Sequence, residues 1–333
     1  MIKIKKKIII FGATGNTGAY LVDYCLENLD QTQYEIIAVG RRKTDYFTKR
    51  GIAYYSVDIS KINQFEKLPT EGIFAILLLA GILPANMEGY HPMEYINCNI
   101  IGAFNVLEYC RKTNVDRVIY TQTIRDIGEN IGKIQHLKHD MIRNFSYTGD
   151  HAIYVITKNT AVDLIEHYHQ EYGIKRFIFR LPTIYSYSPN EYYYVDGIKN
   201  KMAFRHMIDQ AITGKSIEMW GDPNKAHDVV YVKDFCQMLC KAITVDQDRG
   251  FYNVGTGIPI SLKEQIEGMI EVFSPDNHSS KITLCPDKPN SRSYSMDISN
   301  AVEELGYAPK YDYIGYLRDF KSEMEINRYK DLR

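Results

Sequence analysis

Ile8-Ile9-Ile10-Phe11-Gly12-Ala13-Thr14-Gly15-Asn16-Thr17-Gly18 is the stretch that decides the fold. A run of apolar residues leads into glycines at every third position, and an amphipathic segment, Ala19–Leu29, follows. A strand that is apolar at every position is covered on both faces, as strands of a parallel sheet are. Glycines at this junction permit a tight turn, close approach of backbone to a pyrophosphate, and close packing of helix on strand. The helix behind them presents unpaired N–H groups and the positive end of its dipole. Gly12, Thr14, Gly15, Asn16, Thr17 and Gly18 are therefore candidate phosphate-binding residues; an ordinary βα turn would use the same glycines for packing alone.

Working outward, Glu35–Val39, Ala53–Val57, Phe74–Leu79, Arg117–Thr121 and Arg176–Arg180 read as further strands. Met93–Thr113 and Tyr154–Tyr172 read as helices between them. Strands alternating with helices predict right-handed βαβ crossovers and a doubly wound α/β sheet. After Leu181 the texture changes: 182–200 reads as a long loop or small insertion, Met202–Thr213 and Val232–Ile243 as helices, Phe251–Val254 as a strand, and the charged tail as partly helical. The expected division is 1–181 for a nucleotide-binding domain and 182–333 mainly for a substrate lobe, with the chain returning to the first domain at about 228–256.

Composition narrows the function classes. Forty Lys and Arg nearly cancel 41 Asp and Glu over 333 residues, which argues against nucleic acid or an anionic membrane as partner. No apolar stretch approaches the ~18 residues of a membrane span. The apolar run after the basic N-terminus is too short for a signal peptide, so a cytoplasmic protein is expected. Six cysteines without a C-x-x-C pair read as buried free thiols, and the paired histidines His136/His139 and His167/His169 as solvated side chains, so no metal is expected. The 27 tyrosines against one Trp suggest partly wet surfaces such as a pocket or interface.

Two further constellations carry chemistry. Arg41 and Arg42 stand after the second strand, where a carboxylate would bond an NAD ribose hydroxyl; guanidinium groups suit a 2′-phosphate instead, so NADP is expected, with NAD as the alternative. Asp58, in Val57-Asp58-Ile59, is either a partner for the adenine amino group or a helix N-cap. Tyr154 and Lys158 lie one helical turn apart on one face, where a cation lowers the pKa of a phenol and fits it for proton exchange. They follow Thr121-Gln122-Thr123 at the end of the fifth strand.

The glycine turn, Thr123 and the Tyr154–Lys158 pair together resemble the extended short-chain dehydrogenases/reductases, the NAD-dependent epimerase/dehydratase group acting on nucleotide sugars. Leu79-Ala80-Gly81, Asn99-Ile100-Ile101-Gly102, the segment Arg180 to Tyr185, His227 to Asp234, Tyr252 to Gly255 and Asp297 to Pro309 extend the resemblance over nearly the whole chain. It implies a Rossmann-type fold with a smaller C-terminal lobe. It implies Tyr154 as acid/base, Lys158 as the group that lowers the phenol pKa and bonds the nicotinamide ribose, and Thr123 as the group orienting the sugar oxygen. Ile59, Leu79, Ala80, Gly81, Asn99, Thr121, Leu181, Pro182 and Thr183 would line the cofactor, and the two long helices would form a homodimer interface.

Departures from the family pattern are informative. Ile124 and Arg125 follow Thr123 where the 4,6-dehydratases resembled have Asp and Glu, so dehydration lacks its acid and base. His227 stands where epimerases of the family often have an Arg that grips the diphosphate; Lys288 or Arg292 could supply that charge. The reading is NADP-dependent hydride transfer at a carbon of a nucleotide sugar, by epimerisation or by reduction of a keto-sugar. The alternatives are a reductase of a smaller hydroxy or keto substrate and a non-catalytic NADP sensor.

Overall fold

The computed structural model describes residues 5–149 and 151–332. Seven strands, β1 (Lys6–Phe11), β2 (Tyr34–Gly40), β3 (Ala53–Ser56), β4 (Ile73–Leu78), β5 (Arg117–Thr123), β6 (Lys175–Leu181) and β7 (Arg249–Asn253), form one sheet. Their order is β7-β6-β5-β4-β1-β2-β3, with every neighbouring pair parallel. The order reverses between β1 and β4, so the loops after these two strands diverge and leave a crevice at the carboxyl edge.

The helices follow as α1 (Asn16–Asn28), α2 (Pro92–Tyr95, a π-helical segment Ile96–Gly102, then Ala103–Lys112) and α3 (Ala152–Tyr172), and after the sixth strand α4 (Ala203–Ile212), α5 (Val232–Thr244), α6 (Leu262–Phe273), α7 (Ser299–Leu305) and α8 (Tyr313–Glu325). The continuous apolar run of β1 now has its explanation. Ile8 and Ile10 join Leu77 and Ile119 beneath α1 and α5, whereas Ile9 and Phe11 join Leu78 and Val118 beneath α2 and α3. All four are fully buried, each contributing about 1.5–3 kcal/mol.

The second half differs in detail from the sequence expectation. The stretch 182–200, expected as a loop or small insertion, holds most of a hairpin of Tyr192–Val195 with Ile198–Lys201. Its turn is Asp196-Gly197, both with left-handed backbone (φ 49° and 74°), the conformation this dipeptide favours in tight hairpins. Three successive tyrosines hid the strand alternation. The expected return to the sheet is made by β7, in register with β6.

Much of the tyrosine excess lies in the core rather than at a wet surface. Tyr20 packs edge-on against Tyr329 with centroids 4.9 Å apart, and Tyr231 meets Tyr311 at 4.9 Å and Tyr316 at 5.0 Å. The Tyr231 and Tyr329 hydroxyls enter a buried polar network. Asp23 of α1 accepts from Arg50 (2.6 Å), Arg328 (2.8 Å) and the Tyr329 hydroxyl (2.9 Å), while Lys233 pairs with Asp319 and Glu323 of α8. Arg328 and Tyr329 are thus clamped onto the first helix.

Candidate active site

The glycine turn is built by contact as much as by conformation. Gly12 has φ +90°, and a Cβ there would lie 2.7 Å from the Ala80 nitrogen; at Gly18 it would lie 2.1 Å from the Gly12 carbonyl. These glycines let the β4 loop Leu79-Ala80-Gly81 and the start of α1 close on the turn, and Leu79 N–H donates to the Phe11 carbonyl at 3.0 Å. Gly15 caps α1 with no side-chain hydrogen bond and no acidic residue follows in the first turn, so the N–H groups of Asn16, Thr17 and Gly18 have no capping side chain. A backbone-lined, electropositive cradle of this kind fits a dinucleotide pyrophosphate. Thr14 is buried, packed toward Gly40 at the end of β2.

At the adenosine end, Arg41 and Arg42 are both exposed but differ in aim. Arg42 donates to the Leu332 carbonyl at 3.4 Å, in the clamped C-terminal segment. Arg41, with Asp58 and Lys158, lies close enough to act electrostatically on Cys98, whose thiol burial raises to about 11. Asp58 forms a local turn, its carboxylate accepting from Ser60 N–H (3.0 Å) and hydroxyl (2.8 Å); the next 3₁₀ turn is capped at Lys61, so Asp58 is not its N-cap. Ile59 packs under Gly102 and its carbonyl accepts from Asn105 at 2.8 Å.

At the other end, parallel register sets Thr123 beside Leu181 at the edge of β5 and β6. Thr121, Thr123, Tyr154 and Lys158 are all buried, Pro182 is buried and Thr183 exposed. Thr123 lies close enough to the Tyr154 phenol to pull its pKa down. Asn99, in the π-helical segment of α2, accepts from Ile82 N–H at 2.9 Å and donates to its carbonyl at 3.1 Å and to Thr157 at 3.2 Å. It thereby ties the β4 loop to the helix carrying Tyr154 and Lys158. Such π segments recur at functional sites, where they re-aim side chains.

One electrostatic expectation is corrected. Burial, with Tyr95 adding to it, raises the Tyr154 phenol to about 12, while Thr123 and Arg125 pull it down. Lys158 is not among the groups acting on it. The ammonium sits 4.0 Å above the Tyr120 ring, and burial drives it down to about 7. Spacing along a helix put the two side chains on one face but could not foresee that desolvation would dominate both.

Sequence reasoning passed over the second layer. Gln122 donates to Asn159 at 2.8 Å and accepts from Thr123 N–H at 2.8 Å, holding Thr123 to α3. Their signal was polarity where β5 and α3 are otherwise buried. Asp126, the first carboxylate after Thr123, is bound to Arg180 at 3.0 Å with both side chains 2% exposed. His227, half-buried, is held below the usual imidazole range by desolvation and stacks on Tyr294 at 5.9 Å. Lys288 lies over Trp220 at 5.2 Å, and Arg292 is exposed. Among the described residues no group of three His, Cys, Asp or Glu side chains is arranged for a metal, and no helix is long and apolar enough to cross a membrane.

A family model described as the NAD dependent epimerase/dehydratase family matches residues 8–255. The chain belongs to that family. UDP-glucuronic acid decarboxylase 6 of Arabidopsis thaliana is 26% identical over 310 residues, covering 91% of this chain and 84% of the plant protein. Among solved structures, UDP-N-acetylglucosamine 4-epimerase from Bacillus cereus superimposes with a TM-score of 0.76 at 17% identity, covering 97% of this chain and 100% of the epimerase. UDP-glucuronic acid 4-epimerase from the same organism, solved with NAD, gives 0.73 at 19% identity, covering 98% and 99%. These epimerases share the fold. The family assignment makes the chain an NAD(P)-dependent enzyme of the extended short-chain dehydrogenase/reductase type, and the seven-stranded parallel sheet with its flanking helices is the Rossmann-type architecture of that group.

Proposed function

We propose that the protein transfers hydride at a carbon of a nucleotide sugar, as an epimerase or a keto-sugar reductase, with NADP as cofactor. The observation that carries the reading is the burial of Thr123, Tyr154 and Lys158 together at the carboxyl edge of the sheet, with Thr123 close enough to act on the Tyr154 phenol and Lys158 one turn away on the same helix. Tyr154 moves the proton of the reacting hydroxyl, and Thr123 orients that oxygen and the phenol toward each other. Lys158 bonds the ribose next to the reacting ring and holds positive charge near the phenol once a ligand's oxygens replace its lost solvation. The dinucleotide, when bound, supplies or accepts the hydride. Gly12 to Gly18 hold its pyrophosphate, Asp58, Ile59, Leu79, Ala80, Gly81, Asn99 and Thr121 flank its remaining parts, and Leu181 to Thr183 border the nicotinamide.

Dehydration finds no acid/base pair beside Thr123. Ile124 and Arg125 follow it, and Asp126 is committed to Arg180. Arg41 favours NADP over NAD and, with NADPH the usual cellular reductant, net reduction over epimerisation. Residues 1–181 with β7 serve the cofactor and 182–333 mainly the sugar. Ile101, Phe104 and Tyr172, exposed apolar side chains on α2 and α3, support pairing of those helices in a homodimer.

The test is turnover of a panel of nucleotide sugars and their keto forms, read both as NADPH consumption and as sugar interconversion. Tyr154→Phe removes the proton path and should lower kcat by about 10²–10⁴-fold. Equal turnover by the variant and the wild type would overturn the mechanism.

A further inference from the structure

The chain that leaves β5 at Thr123 leads on to α3, so one connection links Thr123 to the helix of Tyr154 and Lys158. Its first part, Ile124–Asn130, is a 3₁₀ stretch broken at Ile127, and Thr123 caps it: the Thr123 hydroxyl accepts the Arg125 N–H at 3.2 Å. Three residues on from Thr123 stands Asp126. Its side chain and that of Arg180 in β6 are each 2% exposed. Attraction offsets the desolvation of a pair this deeply buried only where the geometry is close and the remaining donors are used. Arg180 meets both conditions. Its Nε and Nη2 each donate to the Asp126 carboxylate at 3.0 Å. Nη1 donates to the carbonyls of Lys138 (3.2 Å) and His139 (3.0 Å) and to Asn253 Oδ1 (3.3 Å), and Nη2 reaches the Met141 carbonyl at 3.4 Å.

The same pair organises the chain beyond the turn. Asn253 is the direct partner of Arg180 in the β6–β7 register and donates to the Leu137 carbonyl at 2.7 Å. Asn144 N–H donates to the Asp126 carbonyl, also at 2.7 Å. Residues 138–144 form neither helix nor strand, so these bonds set their path. Arg143 then ties the segment to α3, donating to Asp163 at 2.6 and 2.9 Å. Asp126 is therefore held at both its side chain and its carbonyl. Thr123 is held through its N–H by Gln122 and through its hydroxyl oxygen by the Arg125 N–H, which leaves the hydroxyl hydrogen to donate. A shift of the Asp126 turn would carry the Arg125 N–H away and free the hydroxyl to rotate.

We propose that Asp126 and Arg180 are positioning residues for the reaction: the buried pair fixes the turn whose N–H holds the Thr123 hydroxyl, and so aims its hydrogen. The proposal rests on the hydride-transfer reading above, in which Thr123 orients the reacting oxygen. Both side chains are buried with their polar atoms bonded within the protein, so they act through Thr123 and not on a ligand. Aim matters most where charge moves in the transition state, so its loss falls on kcat and not on binding.

The test is a double-mutant cycle with Thr123→Ala, read as kcat and KM on the nucleotide sugars turned over by the wild type. Dinucleotide binding by calorimetry and Tm are measured on every variant. Asp126→Asn keeps the size and one acceptor oxygen. It should lower kcat about tenfold or more, with KM and the dinucleotide Kd within about twofold. In the Thr123→Ala background the same change should lower kcat by less than about twofold, because groups that act as a unit are not additive. Arg180→Lys keeps the charge and loses the fork; it should give the same pattern from the other side and serves if Asp126→Asn does not fold. An equal loss of kcat in the two backgrounds, a loss that falls on KM or dinucleotide binding, or a lower Tm with kcat unchanged would overturn the inference with the enzyme reading intact. Absence of turnover by the wild type on every sugar would bring down the enzyme reading and this inference together.

Discussion

The glycine turn lies just before α1 and the C-terminal clamp is made on its middle, at Tyr20 and Asp23, and the two are held by different physics. The turn is made of backbone: Gly12 and Gly18 remove side chains so that loop, strand and helix can touch. The clamp is made of side chains: Asp23 collects Arg50, Arg328 and Tyr329, and tyrosine rings fill the space around them. A backbone device leaves a short local motif, whereas a side-chain device draws on residues about three hundred positions apart and leaves none. The two come near each other at the Arg41-Arg42 pair, where Arg42 bonds the tail and Arg41 lies within electrostatic reach of Cys98.

The strongest way to break this contrast is Asp23→Ala. It removes the acceptor shared by two guanidinium groups and a phenol, of which Arg328 keeps Glu323 and Arg50 keeps Tyr46, and should cost about 1.5–3 kcal/mol in chemical denaturation. A loss below about 1 kcal/mol would mean that aromatic packing alone holds the seam. Next in size is the arginine pair. Arg41→Ala should weaken NADP about tenfold or more and NAD little, because a charged hydrogen bond contributes about 1.5–3 kcal/mol. Arg42→Ala should do less, since its partner is Leu332; equal effects of Arg41→Ala on both cofactors would refute the 2′-phosphate reading.

The smallest effect sharpens the electrostatics of the catalytic end. Lys158 titrates near 7 when buried and near 10.5 when unfolded, so between these values the unfolded chain holds the extra proton. Stability of the ligand-free protein should therefore rise with pH from about 7 to 10.5 through this residue. Lys158→Met should flatten that rise and raise the ligand-free Tm at pH 7 by about 2–4 °C, although it removes an active-site group. Thermal melts across that range check it, and an unchanged slope in the variant would place the desolvation elsewhere.

Legibility followed locality. β1 and its glycine turn could be read because the reasons for each residue lie within a few positions. The Tyr154–Lys158 pair could be read because helical spacing carries it. Gln122 and Asn159 could not, because the bond between them joins strand to helix across 37 positions. The hairpin at Asp196-Gly197 was legible in its turn dipeptide but masked by the tyrosines preceding it.

By itself, then, the sequence determined a doubly wound parallel sheet and a glycine turn at its first crossover, and it offered that turn as a candidate phosphate site and Tyr154, Lys158 and Thr123 as a candidate set, since periodicity and glycine placement are local properties. Only the tertiary structure decided that Arg42 bonds the C-terminal segment and that burial pushes the Tyr154 phenol up and the Lys158 ammonium down. Those depend on desolvation and on contacts between distant segments, and neither is written in the order of the residues.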